Sequence, residues 1–220
     1  MAGVSFKNNP IQDTTMKFLK STLILLFIPF AVTAGTDKPA EKTEYVIDND
    51  RSTMTIKGGS TVGSWDADVT TIEAAFTVDM EALEEGRSDE AFLLSGFSIP
   101  VEDIISGGSR MTKNIHKYLD KKNHPQIHFT LEETNITSEP DSDGKRFTIS
   151  SNGTINAAGA DNDVTLNLTA ELLEDGSIVF SGVQNIAFSE YGIDRPSAML
   201  GTVKAKEEME VHYTLYLVKN

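Results

Sequence analysis

Four histidines, His116, His124, His128 and His212, carry the most versatile side-chain chemistry in this sequence, and there is no cysteine. Imidazole titrates near neutral pH and binds zinc, but a zinc site needs three or four converging ligands. His124 and His128 have the i,i+4 spacing of a helical ligand pair. Pro125 lies between them and disfavours the helical conformation at His124, so they cannot share a helix face. His128 and His212 alternate with Phe129 and Tyr213, which turns them away from the apolar face. No metal is expected. Without cysteine, disulfides, thiolate metal sites, C-x-x-C redox chemistry and c-type haem attachment are excluded. The sequence has no G-x-S-x-G, H-E-x-x-H, P-loop or G-x-G-x-x-G motif. Glu81, Glu84, Glu85, Asp89 and Glu90 read as a solvated face and lack calcium-loop spacing. An enzymatic reading reduces to His116 with a nearby acid, as a small hydrolase or isomerase. It requires a pocket at His116 and a carboxylate within hydrogen-bond reach.

Three of the four histidines cluster in residues 110–131, RMTKNIHKYLDKKNHPQIHFTL, where two periods meet. Met111, Ile115, Tyr118 and Leu119 have helical spacing, which predicts a short helix over about residues 110–122 with Ser109 as its cap. After Pro125, Ile127, Phe129 and Leu131 alternate with His128 and Thr130, which is strand spacing. Ile115 and Leu119 are expected to pack the helix onto the rest of the fold. Lys113, Lys117, Lys121 and Lys122 are expected to face water and form a basic spot.

Nearly every other segment reads as strand. Tyr45-Val46-Ile47 opens the domain, and Met54 and Ile56 follow in alternation before Gly58 and Gly59. One long strand is predicted from Ala67 to Asp79, with Ile72, Ala74, Phe76 and Val78 on one face. Leu93, Ser95, Phe97, Ile99 and Val101 give the next alternating set. Phe147, Ile149, Ser151, Gly153 and Ile155 form another, and 156–162 reads as a small-residue turn. Val164 to Leu172 and Ile178 to Phe188 flank a hairpin at Glu174-Asp175-Gly176. Met209, Val211, Tyr213, Leu215 and Leu217 close the chain. This is an all-β pattern of eight or nine strands with hairpin-length connections and one embedded helix. Closure into an eight-stranded antiparallel barrel removes the edge problem, and a sandwich is the competing architecture. The long strands favour the barrel.

The net charge of −14 argues against nucleic acid as a partner. The front end reads as targeting sequence. Met16-Lys17-Phe18-Leu19-Lys20 is a basic start, Leu23 to Phe30 is apolar, and Val32-Thr33-Ala34 resembles a signal-peptidase site. Residues 1–34 are therefore assigned as upstream residues plus a secretory signal peptide, with translation starting at Met16 and cleavage after Ala34. The apolar run is short for a membrane anchor. A chain exported without cysteine fits the bacterial periplasm. Residues 35–44 read as a flexible lead-in, and 45–220 as the folded domain.

Phe76, Phe97, Phe129, Phe147, Phe180, Phe188 and Tyr213 can all face inward. They either fill a core or line a cavity, and a closed barrel of this size has room for one small ligand. The mature domain resembles the YceI-like family. The resemblance rests on Tyr45-Val-Ile-Asp48 with Met54-Thr-Ile56, and on Met111-Thr-Lys-Asn-Ile-His116 followed by Leu119 and His124-Pro-Gln-Ile-His-Phe129. Gly153-Thr-Ile155 with Asp163-Val-Thr-Leu166, Phe188-Ser-Glu-Tyr-Gly-Ile193, Gly201-Thr-Val203 and Glu210-Val-His-Tyr213 extend it. It implies a lipocalin-like barrel and a periplasmic, non-enzymatic protein that holds an isoprenoid or quinone-like lipid in its lumen for transport or storage. No other cofactor is implied. Lumen positions carried by this reading are Phe76, Phe97, Ile99, Ile115, Leu119, Phe129, Phe147, Phe188 and Tyr213. The basic spot of Lys113, Lys117, Lys121 and Lys122 is read as a surface for transient docking to an anionic membrane, and the resemblance also implies a homodimer. Ala157-Ala158-Gly159-Ala160-Asp161 departs from the family pattern, so a different ligand, or a filled barrel serving as a stress-related interaction protein, stays open.

Overall fold

The computed structural model describes residues 42–220 apart from 86, 88–90, 139–142 and 144. The targeting segment, most of the lead-in and most of the 140–144 turn lie outside the described residues. Thirteen strands are present: β1 Lys42–Ile47, β2 Thr53–Ser60, β3 Gly63–Val69, β4 Glu73–Asp79, β5 Phe92–Pro100, β6 Ile104–Ile105, β7 Gln126–Ser138, β8 Arg146–Ala157, β9 Ala160–Leu172, β10 Ile178–Ala187, β11 Ser197–Ala198, β12 Val203–Lys204 and β13 Glu208–Lys219. Among the described residues two α-helices join them, α1 Met80–Glu84 and α2 Ser109–Tyr118.

The ring runs β1–β4–β5–β7–β8–β9–β10–β13 and closes through the β1–β13 pairing, so the barrel is eight-stranded and antiparallel throughout. β13 spends one edge on β10. Its other edge takes β1 at Leu217–Lys219 and β2 at 210–214, so β1 and β2 follow one another along it. β3 then pairs with β2 and β4 with β1, and β6 pairs with β3 and β5 with β4. Three adjacent walls are thus long runs interrupted at a common level. The side-chain amide of Asn49 bridges that line: Nδ2 donates to the Ile72 carbonyl at 3.1 Å and Oδ1 accepts from the Ile72 N–H at 2.8 Å. The Thr70 N–H donates to the Asp103 carbonyl at 2.9 Å. The predicted continuous strand 67–79 is therefore broken at 70–72.

Five further expectations are corrected. β1 starts at Lys42, because β4 offers partners to Lys42, Thr43 and Glu44, three residues placed in the lead-in. The helix ends at Tyr118, well short of 122, where Asp120 takes a left-handed φ of 48°. Its N-cap is Gly108 without a side-chain bond; Ser109 is already helical, and Thr112 Oγ1 accepts from the Ser106 N–H instead. The turn over 156–162 narrows to Ala158 and Gly159, both at positive φ as a two-residue hairpin requires. In β5 the register shifts opposite Ala75/Phe76, so Phe92 and Leu94 point in on one side of the bulge and Phe97 and Ile99 on the other. Leu93, predicted on the inner face, is consequently 61% exposed.

One end of the barrel is solid. Tyr45, Val78, Phe147, Ile178 and Leu217 fill it. α1 closes it with Ala82 and Leu83, its N-terminus capped by Asp79, whose carboxylate accepts from the Ala82 N–H at 3.0 Å. At the opposite end Phe188, Ala205 and Met209 form a smaller apolar cluster against Ile56 and Trp65.

Candidate functional site

Between these ends lies a cavity of about 300 Å³, within the size range of small-molecule pockets. Every wall contributes. Strand alternation presents Ile127, Phe129 and Leu131 from β7, Ile149, Ser151 and Ile155 from β8, and Leu166 and Leu168 from β9. α2 turns Met111, Ile115, Tyr118 and Leu119 inward, the spacing of one helix face, together with Asn114. The segment after β10 adds Phe188, Tyr191, Ile193 and Pro196. Among the described residues no Lys, Arg, Asp or Glu lines the cavity.

Of the nine lumen positions read from the sequence, Phe76, Phe97, Ile99, Ile115, Leu119, Phe129, Phe188 and Tyr213 line this cavity. Phe147 does not. It shares a face with Ile149 and Ser151 but sits nearer the solid end, where it is 2% exposed within the packed core. Phe97 and Phe129 meet edge to face at 6.3 Å. Phe129 also lies over Gly153, where any Cβ would collide with its ring and with the Thr130 carbonyl. Tyr213 lies in the same way over Gly182, its cross-strand partner. Glycine on the wall is thus what lets these rings lie flat and leave the centre open.

Sequence reasoning missed Trp65, Thr134 and Tyr191 as lining residues. Trp65 precedes the strand predicted from Ala67 and belongs to β3. Thr134 escaped because β7 shifts register between Leu131 and Glu133, which moves the inward face from odd to even positions. No local signal marks that bulge. Tyr191 lies in a 3₁₀ turn, Phe188–Tyr191, that alternation does not reveal.

Dryness shows in the tyrosines. Burial pushes the Tyr213 phenol up to about 12. Burial is also the leading cause of a raised pKa at Tyr191, whose hydroxyl makes no well-formed hydrogen bond, with Asn162 its polar neighbour. Neither tyrosine is poised to exchange a proton near neutral pH.

The histidines fall outside this chemistry. His116 Nε2 lies 3.1 Å from the Ile104 carbonyl oxygen, so its bond is to backbone and ties α2 to β6 rather than pairing with a carboxylate. The ring of His124 packs over Gly159 at the β8–β9 turn. His128 is exposed yet is among the residues that border the cavity, and His212 Nε2 lies 2.7 Å from Glu210 on the outer surface. Among the described residues no group of three or more His, Asp or Glu is arranged to hold a metal ion. Lys113 and Lys117 on α2 and Lys122 in the turn after it are exposed, but Lys121 of that turn pairs with Glu102 at 3.2 Å and is only half exposed, so the basic spot is smaller than expected.

A fold search finds the crystal structure of Burkholderia cenocepacia BcnA, 16% identical, with a TM-score of 0.58 over 77% of this chain and 98% of that one. It also finds a polyisoprenoid binding domain from Saccharophagus degradans implicated in plant cell wall breakdown, 12% identical, with a TM-score of 0.57 over 81% of this chain and 100% of that one. At such identities the likeness speaks to fold alone. No curated protein matches the sequence. The family model for the YceI-like domain matches residues 45–217, almost the whole barrel, and the chain belongs to that family.

Proposed function

We propose that this protein is a non-catalytic carrier, exported to the periplasm, that holds an isoprenoid or quinone-like lipid in its barrel for transport or storage. The observation that carries the reading is an apolar cavity of about 300 Å³ without a charged wall residue, inside a barrel that is otherwise tightly packed. Family membership and the polyisoprenoid-binding neighbour support it. The driving force is burial. A five-carbon isoprene unit gains about 4 kcal/mol at about 0.8 kcal/mol per buried carbon. Chain ordering opposes part of that gain, so cavity length rather than hydrogen bonding selects tail length.

Loading from a membrane needs an encounter surface. Lys113 and Lys117 on α2 and Lys122 in the turn after it offer cations to anionic headgroups. Val62, Met199 and Leu200 offer exposed apolar side chains on two turns held together by the Thr61 N–H donating to the Lys204 carbonyl at 3.0 Å. The direct test is native mass spectrometry, with lipid extraction, on protein purified from its own host. An isoprenoid released in near-stoichiometric amount is expected. Protein that carries no lipid from its host and takes up none from isoprenoid-containing vesicles overturns the proposal.

A further inference from the structure

Besides Asn114, His128, Gln184 and the phenols of Tyr118, Tyr191 and Tyr213, the cavity wall carries one polar pair. Thr134 of β7 and Ser151 of β8 are a registered cross-strand pair, and both line the cavity. They are 8% and 6% exposed, and their hydroxyl oxygens stand 3.3 Å apart. Ordinary alternation from Phe129 and Leu131 would have turned Thr134 to solvent; the bulge between Leu131 and Glu133 re-aims it inward. Ile136, the next inward residue, and Ile149, the neighbour on β8, are apolar, so the pair is isolated in hydrocarbon.

Two hydroxyls bring two O–H donors, and the bond between them uses one. A second donor is left facing an apolar space, where an unmet hydrogen bond is costly. With no Lys, Arg, Asp or Glu on the wall, an anionic group such as a phosphate would be buried there without a counter-charge. A neutral acceptor oxygen meets both conditions.

We infer that the Thr134–Ser151 pair is a recognition point for a neutral acceptor oxygen on the bound lipid, a carbonyl, quinone or alcohol. This rests on the lipid-carrier reading and narrows its ligand class. It also sets the direction of the ligand. Ser151 lies six residues below Ala157 at the β8–β9 turn, about 20 Å along the strand. The oxygen-bearing end sits deep and the hydrocarbon tail runs back toward α2 and the Phe188–Tyr191 turn.

The test uses delipidated full-length protein and two probes of similar carbon count, squalene and a prenylated benzoquinone, each read by displacement of a fluorescent apolar dye. The quinone is expected to bind about tenfold more tightly than squalene. The Thr134→Val, Ser151→Ala double variant should lose about five- to tenfold for the quinone and nothing for squalene, the scale of one neutral hydrogen bond. The exchange Thr134→Ser, Ser151→Thr keeps both hydroxyls and should keep the preference. Wild-type protein that binds both probes equally overturns this inference and leaves the carrier reading standing. A double variant with unchanged quinone affinity, or with equal loss of both probes, overturns it too. Wild-type protein that binds neither probe overturns both readings.

Discussion

The two ends of one barrel use the same strands to opposite effect. At the α1 end, inward residues from β1, β4, β8, β10 and β13 meet and exclude space: Tyr45, Val78, Phe147, Ile178 and Leu217 are at most 2% exposed. Toward the α2 end the inward residues are of the same type, yet Phe97, Phe129 and Tyr213 lie against the wall and leave a cavity. Residue type does not separate the two regions; what faces each side chain does. Phe76, Phe92 and Phe180, which border the cavity where it meets the solid end, stack edge to face at 5.5–5.6 Å, whereas Phe129 and Tyr213 find glycine beneath them. One region gains stability from contacts between side chains. The other gives up part of it to keep a dry volume.

Substitutions should break the two regions differently. Phe147→Ala, in the solid end, is expected to cost about 3–5 kcal/mol in denaturant unfolding. Phe129→Ala should cost clearly less, because its ring already borders open space; equal losses would erase the distinction. Gly153→Ala is expected to cost about 1–3 kcal/mol, since its Cβ would meet the Thr130 backbone and the Phe129 ring together. A neutral result would mean that the flattened ring is free to shift.

The Tyr213 phenol supplies a pH test of dryness. Its folded-state pKa of about 12 lies above the ordinary value of 10.0, so the native state holds its proton where the unfolded chain loses it. The stability this provides is fully present below pH 10 and is lost as pH rises from about 10 to about 12. Thermal unfolding across that range should fall more steeply for the wild type than for Tyr213→Phe. Matching curves would indicate a wet phenol. The smallest stability effect is expected from Ile115→Trp on the α2 wall, within about 1 kcal/mol, with lipid retention reduced about tenfold or more. Retention equal to wild type would remove α2 from the binding wall.

Much of the inward-facing pattern was legible because alternation is local. Ile127, Phe129 and Leu131 face inward as their spacing predicts, and so do Ile149, Ser151 and Ile155. The junction of a helix with a strand around Pro125 was readable for the same reason, and so were the motifs that mark the family. The errors of strand facing and continuity have one cause. Leu93 turned outward, Thr134 turned inward and the 67–79 run broke, each where a neighbouring strand imposed a bulge or a bend. His116 attracted a catalytic reading because a sequence does not reveal that the Ile104 carbonyl lies 3.1 Å from its ring.

The sequence by itself therefore determined which faces are apolar, where the helix interrupts the sheet and which family the barrel belongs to, because periods of two and of 3.6 residues are properties of consecutive positions. Only the tertiary structure decided that β1 closes on β13, that Phe147 is buried filling while Phe129 is a wall, and that two hydroxyls meet inside hydrocarbon. Those depend on what lies opposite each residue, and that partner comes from a distant part of the chain.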